Sequence, residues 1–158
     1  MKKIQFVILI ICMNMCTPDS FGQKRPFSEF ANDTVAYMTY NFYEHQEMYQ
    51  GQRLEKFFQD FDLDIKAVCL SFSPQHQLYG IDFCTRPAAQ IRKNAKNDQF
   101  RSQCSISIIF RIDQMPDYPA SVSKHPIEDN EVITDWKESY REEFKNMIPW
   151  MFFYDPEK

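Results

Sequence analysis

Glycine is nearly missing from this chain, at three residues in 158. A phosphate-cradling loop needs several glycines close together, so P-loop and Rossmann turns are excluded, and so is a flexible glycine linker. Histidine is as scarce, and His45, His76 and His125 fall on a predicted helix, a turn and a proline-rich stretch. No C-x-x-C pair occurs, and Glu44-His45-Gln46-Glu47 lacks the second histidine of a zinc-protease helix. There is no G-x-S-x-G elbow, and no cysteine stands at a predicted helix start. Internal repeats and low-complexity runs are missing too. The sequence nominates no catalytic residue, no metal ligand and no cofactor.

Two acidic groups invite a closer look. Asp60, Asp62 and Asp64 are spaced like the opening of an EF-hand calcium loop. That loop needs glycine at its sixth position and glutamate at its twelfth, where this chain has Ile65 and Ser71. A solvated turn fits better. Glu138, Glu142 and Glu143 read in the same way, as the wet face of a helix.

What is present starts with a leader. Met1-Lys2-Lys3 is a short basic lead into the apolar run from Ile4 to Ile11, followed by polar Thr17-Pro18-Asp19-Ser20. The run is too short for a permanent membrane span, and the layout is that of a secretory signal peptide. Ser20 and Gly22 are the small residues expected before a cleavage site, which places processing after residue 22. Anchoring of a lipoprotein through Cys12 or Cys16 is the competing idea, but Ile11 and Met15 stand where small residues are expected. Residues 23–158 then form a single domain, long enough to bury about two-thirds of its unfolded surface. The removed piece carries Lys2, Lys3 and Asp19, leaving 16 of the 18 basic and 21 of the 22 acidic residues. A net charge of −5 argues against nucleic acid or an anionic membrane as the partner.

The chain is organised around residues 65–84. Ile65 to Phe72 and Leu78 to Cys84 each alternate with period two, and Ser73-Pro74-Gln75-His76-Gln77 between them is turn-like. Setting Phe72 opposite Tyr79 puts Leu70 opposite Ile81 and Val68 opposite Phe83, with every bulky side chain on one face. The other face collects Ala67, Cys69, Ser71, Gly80, Asp82 and Cys84. A slip by one residue would set large apolar groups opposite small polar ones, so this register is favoured. Residues 103–112 repeat the pattern, with Ile106, Ile108, Phe110 and Ile112 on one side and Ser105, Ser107 and Arg111 on the other, Ile109 being the exception.

Helical patterns flank the strands. Asn32 or Asp33 can cap a helix over residues 33–49, whose stripe is Val35, Met38, Phe42, His45 and Tyr49, ended by Gly51. Lys24 to Ala31 ahead of it reads as a mobile or loosely packed arm with Phe27 and Phe30 as its candidate anchors, and residues 52–60 as a second helix with Leu54, Phe57 and Phe58 inward. Thr85 can cap a short helix with Pro87 in its first turn, running through Ala88, Ile91 and Ala95, and a long loop is the alternative. Ile133, Trp136, Tyr140, Phe144 and Met147 make the stripe of a last helix, stopped by Pro149. Trp150 to Tyr154 is too apolar for water and is expected to pack as an edge strand or against the core. The fold class is therefore α+β, a small antiparallel sheet of three to four strands with helices packed on one face.

Two surfaces remain as binding candidates. One is the smooth sheet face around Ser71, Asp82, Ser105 and Ser107; the other is a basic segment with Arg92, Lys93 and Lys96. Export permits a disulfide, and Cys84 with Cys104 is the candidate pair if the second and third strands run antiparallel. Pairing those two directly would set Ile106 beside Asp82 and Ile108 beside Gly80, so a bulge would be needed. The functional expectation is an exported, periplasmic or secreted, non-enzymatic protein that binds a protein partner through a surface. It has no integral membrane segment once processed. The alternative is a ligand-binding or hydrolytic domain with a pocket between sheet and helices.

Overall fold

In the computed structural model, which describes residues 24–95, 105–111, 113 and 131–154, the hairpin is the middle of the sheet. Strand β1 (Ala67–Phe72) pairs antiparallel with β2 (Leu78–Cys84), Val68 opposite Phe83 and Leu70 opposite Ile81. At the turn the register departs from expectation. Phe72 lies opposite Leu78, and Tyr79 is the extra residue of a bulge. The turn closes on itself through Ser73 N–H to the Gln77 carbonyl (2.9 Å) and His76 N–H to the Ser73 carbonyl (2.9 Å), which draws Leu78 into the rung.

Three more strands complete an antiparallel sheet: β3 (Ser105–Ile109), β4 (Glu131–Asp135) and β5 (Met151–Phe153), in the order β4-β1-β2-β3-β5. There are five strands, not three to four. The strand missed is β4, which the sequence pattern assigned to the last helix. Val132 and Thr134 are buried and alternate with more open Glu131 and Ile133. The β-branched run Val-Ile-Thr favours a pleated surface, and the free side of β1 offers it a partner. The helix itself (Glu138–Phe144) keeps only Tyr140 and Phe144 of the expected stripe as buried residues. The closing strand β5 does form at the sheet edge.

The predicted helix over residues 33–49 is broken into three pieces. Asp33 caps α1 (Thr34–Met38), accepting from the Ala36 N–H at 3.0 Å. A π-helical turn, Thr39–Tyr43, and a 3-10 turn, Gln46–Met48, follow. Widening the helix re-aims its side chains: Tyr37, Met38, Phe42 and Tyr49 are buried, while Val35 is 40% exposed. His45 leaves the stripe, its Nδ1 2.6 Å from the Tyr40 carbonyl oxygen. The arm before α1 is pinned rather than loose. Asn41 exchanges hydrogen bonds with the backbone of Arg25, and Asp62 takes both Lys24 Nζ (2.5 Å) and Phe27 N–H (2.9 Å).

One apolar core unites the bulky sheet face with the helices. Val68, Ile81 and Ile108 share it with Phe42, Phe152, Tyr140 and Phe144, and with Phe57 of α2 (Leu54–Asp60). Phe57 is the hub, with ring centroids 5.0–5.8 Å from Phe42, Phe58, Phe61, Phe83 and Phe152. A smaller cluster lies on the other face. There Ala67, Cys69 and Cys84 are buried with Ala88 and Ile91 of α3 (Ala88–Ala95), so a helix also rests on the small residues. Asp135 fixes its start by accepting the Ala88 N–H at 3.1 Å. We number the last helix, Glu138–Phe144, α4.

Candidate functional site

The pairing registers arrange the small-residue face in three rows across the sheet. One row runs Asp135, Ala67, Cys84, Ser105; the next Ile133, Cys69, Asp82, Ser107; the third Glu131, Ser71, Gly80, Ile109, Met151. At Gly80 an added Cβ would stand at ordinary contact distance, 3.4 Å from the Ile108 carbonyl oxygen and 3.6 Å from Ser71 Cβ. The rows bring Asp82 and Ser107 together, and Ser107 Oγ donates to Asp82 Oδ1 at 2.6 Å. Ser105 and Ser71 flank that pair one row to either side. Ser71 is buried, whereas Ser105, Ser107 and Asp82 are half-buried.

The basic candidates stand apart from this polar group. Arg92 donates to the Ile133 carbonyl oxygen, tying α3 to β4, while Lys93 is exposed. Lys96 lies outside the described residues, as do residues 1–22 and Cys104. The residue opposite Cys84 on β3 is Ser105, and Ile106 faces Phe83, the register that keeps the isoleucines in the core. Cys84 Sγ lies 3.8 Å from Cys69 Sγ.

Two of the three aspartates of the acidic run, Asp60 and Asp62, serve the fold, and Asp64 is exposed. Asp60 accepts from Lys56 Nζ at 3.0 Å, and its carbonyl accepts the Tyr37 hydroxyl. Asp62 holds the arm, as described above. Among the described residues no three His, Cys, Asp or Glu side chains gather to hold a metal ion. A groove of about 500 Å³ beside α2 is lined by Arg53, Glu55, Lys56, Gln59 and Ile148, among others. Among the described residues that line it, Glu55 is the one carboxylate, with Arg53 and Lys56 beside it, and none is a histidine.

The feature that the sequence pattern concealed lies at the open end of the third row. Ile148, Trp150 and Met151 are 53%, 55% and 36% exposed, and Tyr79 is 37% exposed. Backbone hydrogen bonds bring them onto neighbouring positions: Phe110 N–H donates to the Tyr79 carbonyl (2.8 Å) and Trp150 N–H to the Ile109 carbonyl (3.0 Å). The sequence puts the whole segment from Trp150 to Tyr154 out of water, Phe152 and Tyr154 included. Those two are buried, but Trp150 sits in a bend before β5 begins and turns outward. Tyr79 is exposed because the bulge removes it from the alternation. Proline at 149 and the five-residue turn ahead of Leu78 are the sequence signals that mark where the alternation stops applying.

The bend is held from below. No side chain caps α2 at Arg53. Instead Gly51, Leu54 and Glu55 N–H donate to the carbonyls of Pro149, Met147 and Lys145 at 3.2, 2.9 and 2.8 Å. Unpaired N–H groups at the start of α2 thus satisfy carbonyls that α4 leaves over at its end. Trp150 is therefore presented by a fixed backbone. Among the described residues no helix is long and apolar enough to cross a membrane. Comparison of the chain with family models, with curated proteins and with solved structures yields no match.

Proposed function

We propose that this is an exported, non-enzymatic interaction protein that engages a protein partner through the Tyr79–Trp150 end of its sheet. The observation that carries the reading is the exposure of Trp150, at 55%, on a backbone hydrogen-bonded at both flanks. Tryptophan, tyrosine and methionine are enriched at protein interfaces, and anchors that need no ordering on binding retain more of their contact energy. Ile109 and Met151 continue the surface along the third row toward the Asp82–Ser107 pair, which supplies polar contacts at its rim. The export expectation comes from the leader pattern in residues 1–22, and the processed charge of −5 disfavours nucleic acid.

Affinity capture from the envelope and medium of the producing cell tests this. The wild-type chain retains a specific protein that Trp150→Ala and Tyr79→Ala chains release. Identical retention by all three chains rejects the surface. A purified wild-type protein that turns over ester, glycoside or peptide substrates rejects the non-enzymatic reading.

A further inference from the structure

Away from the exposed end, the small-residue face brings two cysteines together. Cys69 on β1 and Cys84 on β2 are diagonal neighbours, since Cys69 faces Asp82 and Ala67 faces Cys84. Their sulfurs stand 3.8 Å apart, both buried beneath α3. Ala67, Ala88 and Ile91 pack around them with Ile133 at the margin, while Asp82 and Ser105 are their polar neighbours along the rows. The sulfur of Cys84 also approaches the Asp82 carbonyl at 3.6 Å.

We propose that Cys69 and Cys84, rather than Cys84 and Cys104, are the disulfide-forming pair of this protein, a covalent clasp between the two central strands. Bond formation needs the sulfurs to close from 3.8 Å to about 2.05 Å and the Cβ atoms to stand about 3.5–4.5 Å apart, so for this diagonal pair the two strands must shift toward each other as the side chains rotate. The oxidant is an external disulfide, of low molecular weight or on a protein. One cysteine thiolate attacks a sulfur of that disulfide and expels one thiolate, leaving a mixed disulfide. The second cysteine thiolate then attacks the protein sulfur and expels the other. The two cysteine thiols lose two electrons and two protons, and the external disulfide departs as two thiols.

Burial sets the order of events. The pair is covered by α3, which is held by Ala88 N–H on Asp135 and by Arg92 on the Ile133 carbonyl. Oxidation of the folded chain therefore waits for α3 to lift, and Asp135→Ala, which removes one tie, speeds it. This inference does not rest on the interaction reading, because the clasp lies in the first two rows of the face and Trp150 beyond the third.

The test is oxidation of the folded full-length chain with glutathione disulfide, followed by denaturation, alkylation and peptide mapping. Trypsin is unsuitable, as no lysine or arginine lies between Cys69 and Cys84. Chymotrypsin cuts in that interval after Leu70, Phe72 and Tyr79, and separates the two cysteines. The expected product is a Cys69 peptide linked to a Cys84 peptide, two hydrogens lighter than their sum, which persists in Cys104→Ser. Oxidation should also raise the urea midpoint, and a reductant should restore the starting value. Recovery of Cys69 in alkylated form after exhaustive oxidation, or linkage of Cys84 to Cys104, overturns the proposal.

Discussion

Gly51 donates its backbone N–H to the carbonyl oxygen of Pro149 at 3.2 Å, joining the start of one helix to the end of another. The glycine does so at φ +69°, in the left-handed region. No neighbouring atom lies within 4 Å of where its Cβ would stand, so a substitution here is felt through the backbone alone. Gly51→Ala should lower stability by about 1–2 kcal/mol, and Gly51→Asn by less, because asparagine tolerates this conformation. Urea unfolding of the two variants checks the ranking; equal stability of wild type and Gly51→Ala contradicts it.

Phe57 reaches five other aromatic rings and is 1% exposed. Truncation to alanine removes burial and leaves a cavity between sheet and helix, a loss of about 3–5 kcal/mol. That is a large part of the total for a domain of this size, about 5–15 kcal/mol. Phe57→Ala should therefore unfold at a much lower urea midpoint than wild type, with Phe57→Leu between the two. A midpoint for Phe57→Ala within error of wild type would remove Phe57 from its central place.

The Tyr37 hydroxyl donates to the Asp60 carbonyl at 3.0 Å and accepts the Asp62 N–H at 2.9 Å. Tyr37→Phe leaves both backbone groups without that partner and should cost about 1–3 kcal/mol. Burial raises the pKa of Tyr37 and also of Tyr49, where the negative charge of Asp60 adds to the effect. Both phenols thus hold their protons more tightly in the folded chain, and the unfolded chain ionises first. The associated stability is fully present below the ordinary phenol pKa of about 10 and is lost as pH rises above it. Alkaline unfolding followed by phenolate absorbance should show late ionisation coincident with unfolding, and Tyr37→Phe should weaken the pH dependence. Smooth ionisation of every tyrosine in the folded protein contradicts this.

Asp62 anchors the N-terminal arm by two contacts, with Lys24 and with the Phe27 N–H. Asp62→Ala should speed hydrogen exchange at Phe27 and neighbouring amides by an order of magnitude or more, with little change in the strands. Exchange rates that match wild type in the arm would show that ring packing of Phe27 and Phe30 on Tyr37 holds it without the carboxylate.

The hairpin was legible because period-two alternation leaves little choice: Leu70 against Ile81 and Val68 against Phe83 bury every bulky group at once. The same rule made Ile106 and Ile108 readable as core. It failed at Tyr79, which a bulge takes out of the alternation, and apolarity alone misplaced Trp150, which sits in a bend ahead of β5; those are the residues of the candidate surface. Residues 131–135 were hidden for another reason. Ile133 and Trp136 fit a helical stripe with Tyr140, and only the open edge of β1, a distant partner, decides for a strand. Helix α3 on the small-residue face could not be inferred from alternation, since Ala88 and Ile91 carry no mark of which face they cover.

An anchor for a partner protein, as proposed for Trp150, adds nothing to the stability of the free chain. Trp150→Ala should change the unfolding free energy by no more than about 0.5 kcal/mol, as an exposed position does. The most direct measurement places a photo-crosslinking amino acid at position 150 in the producing cell, with position 142 on the exposed side of α4 as control. A discrete adduct from position 150 with one protein, and none from position 142, is the predicted result. No adduct from position 150, or the same adducts from both positions, contradicts the account.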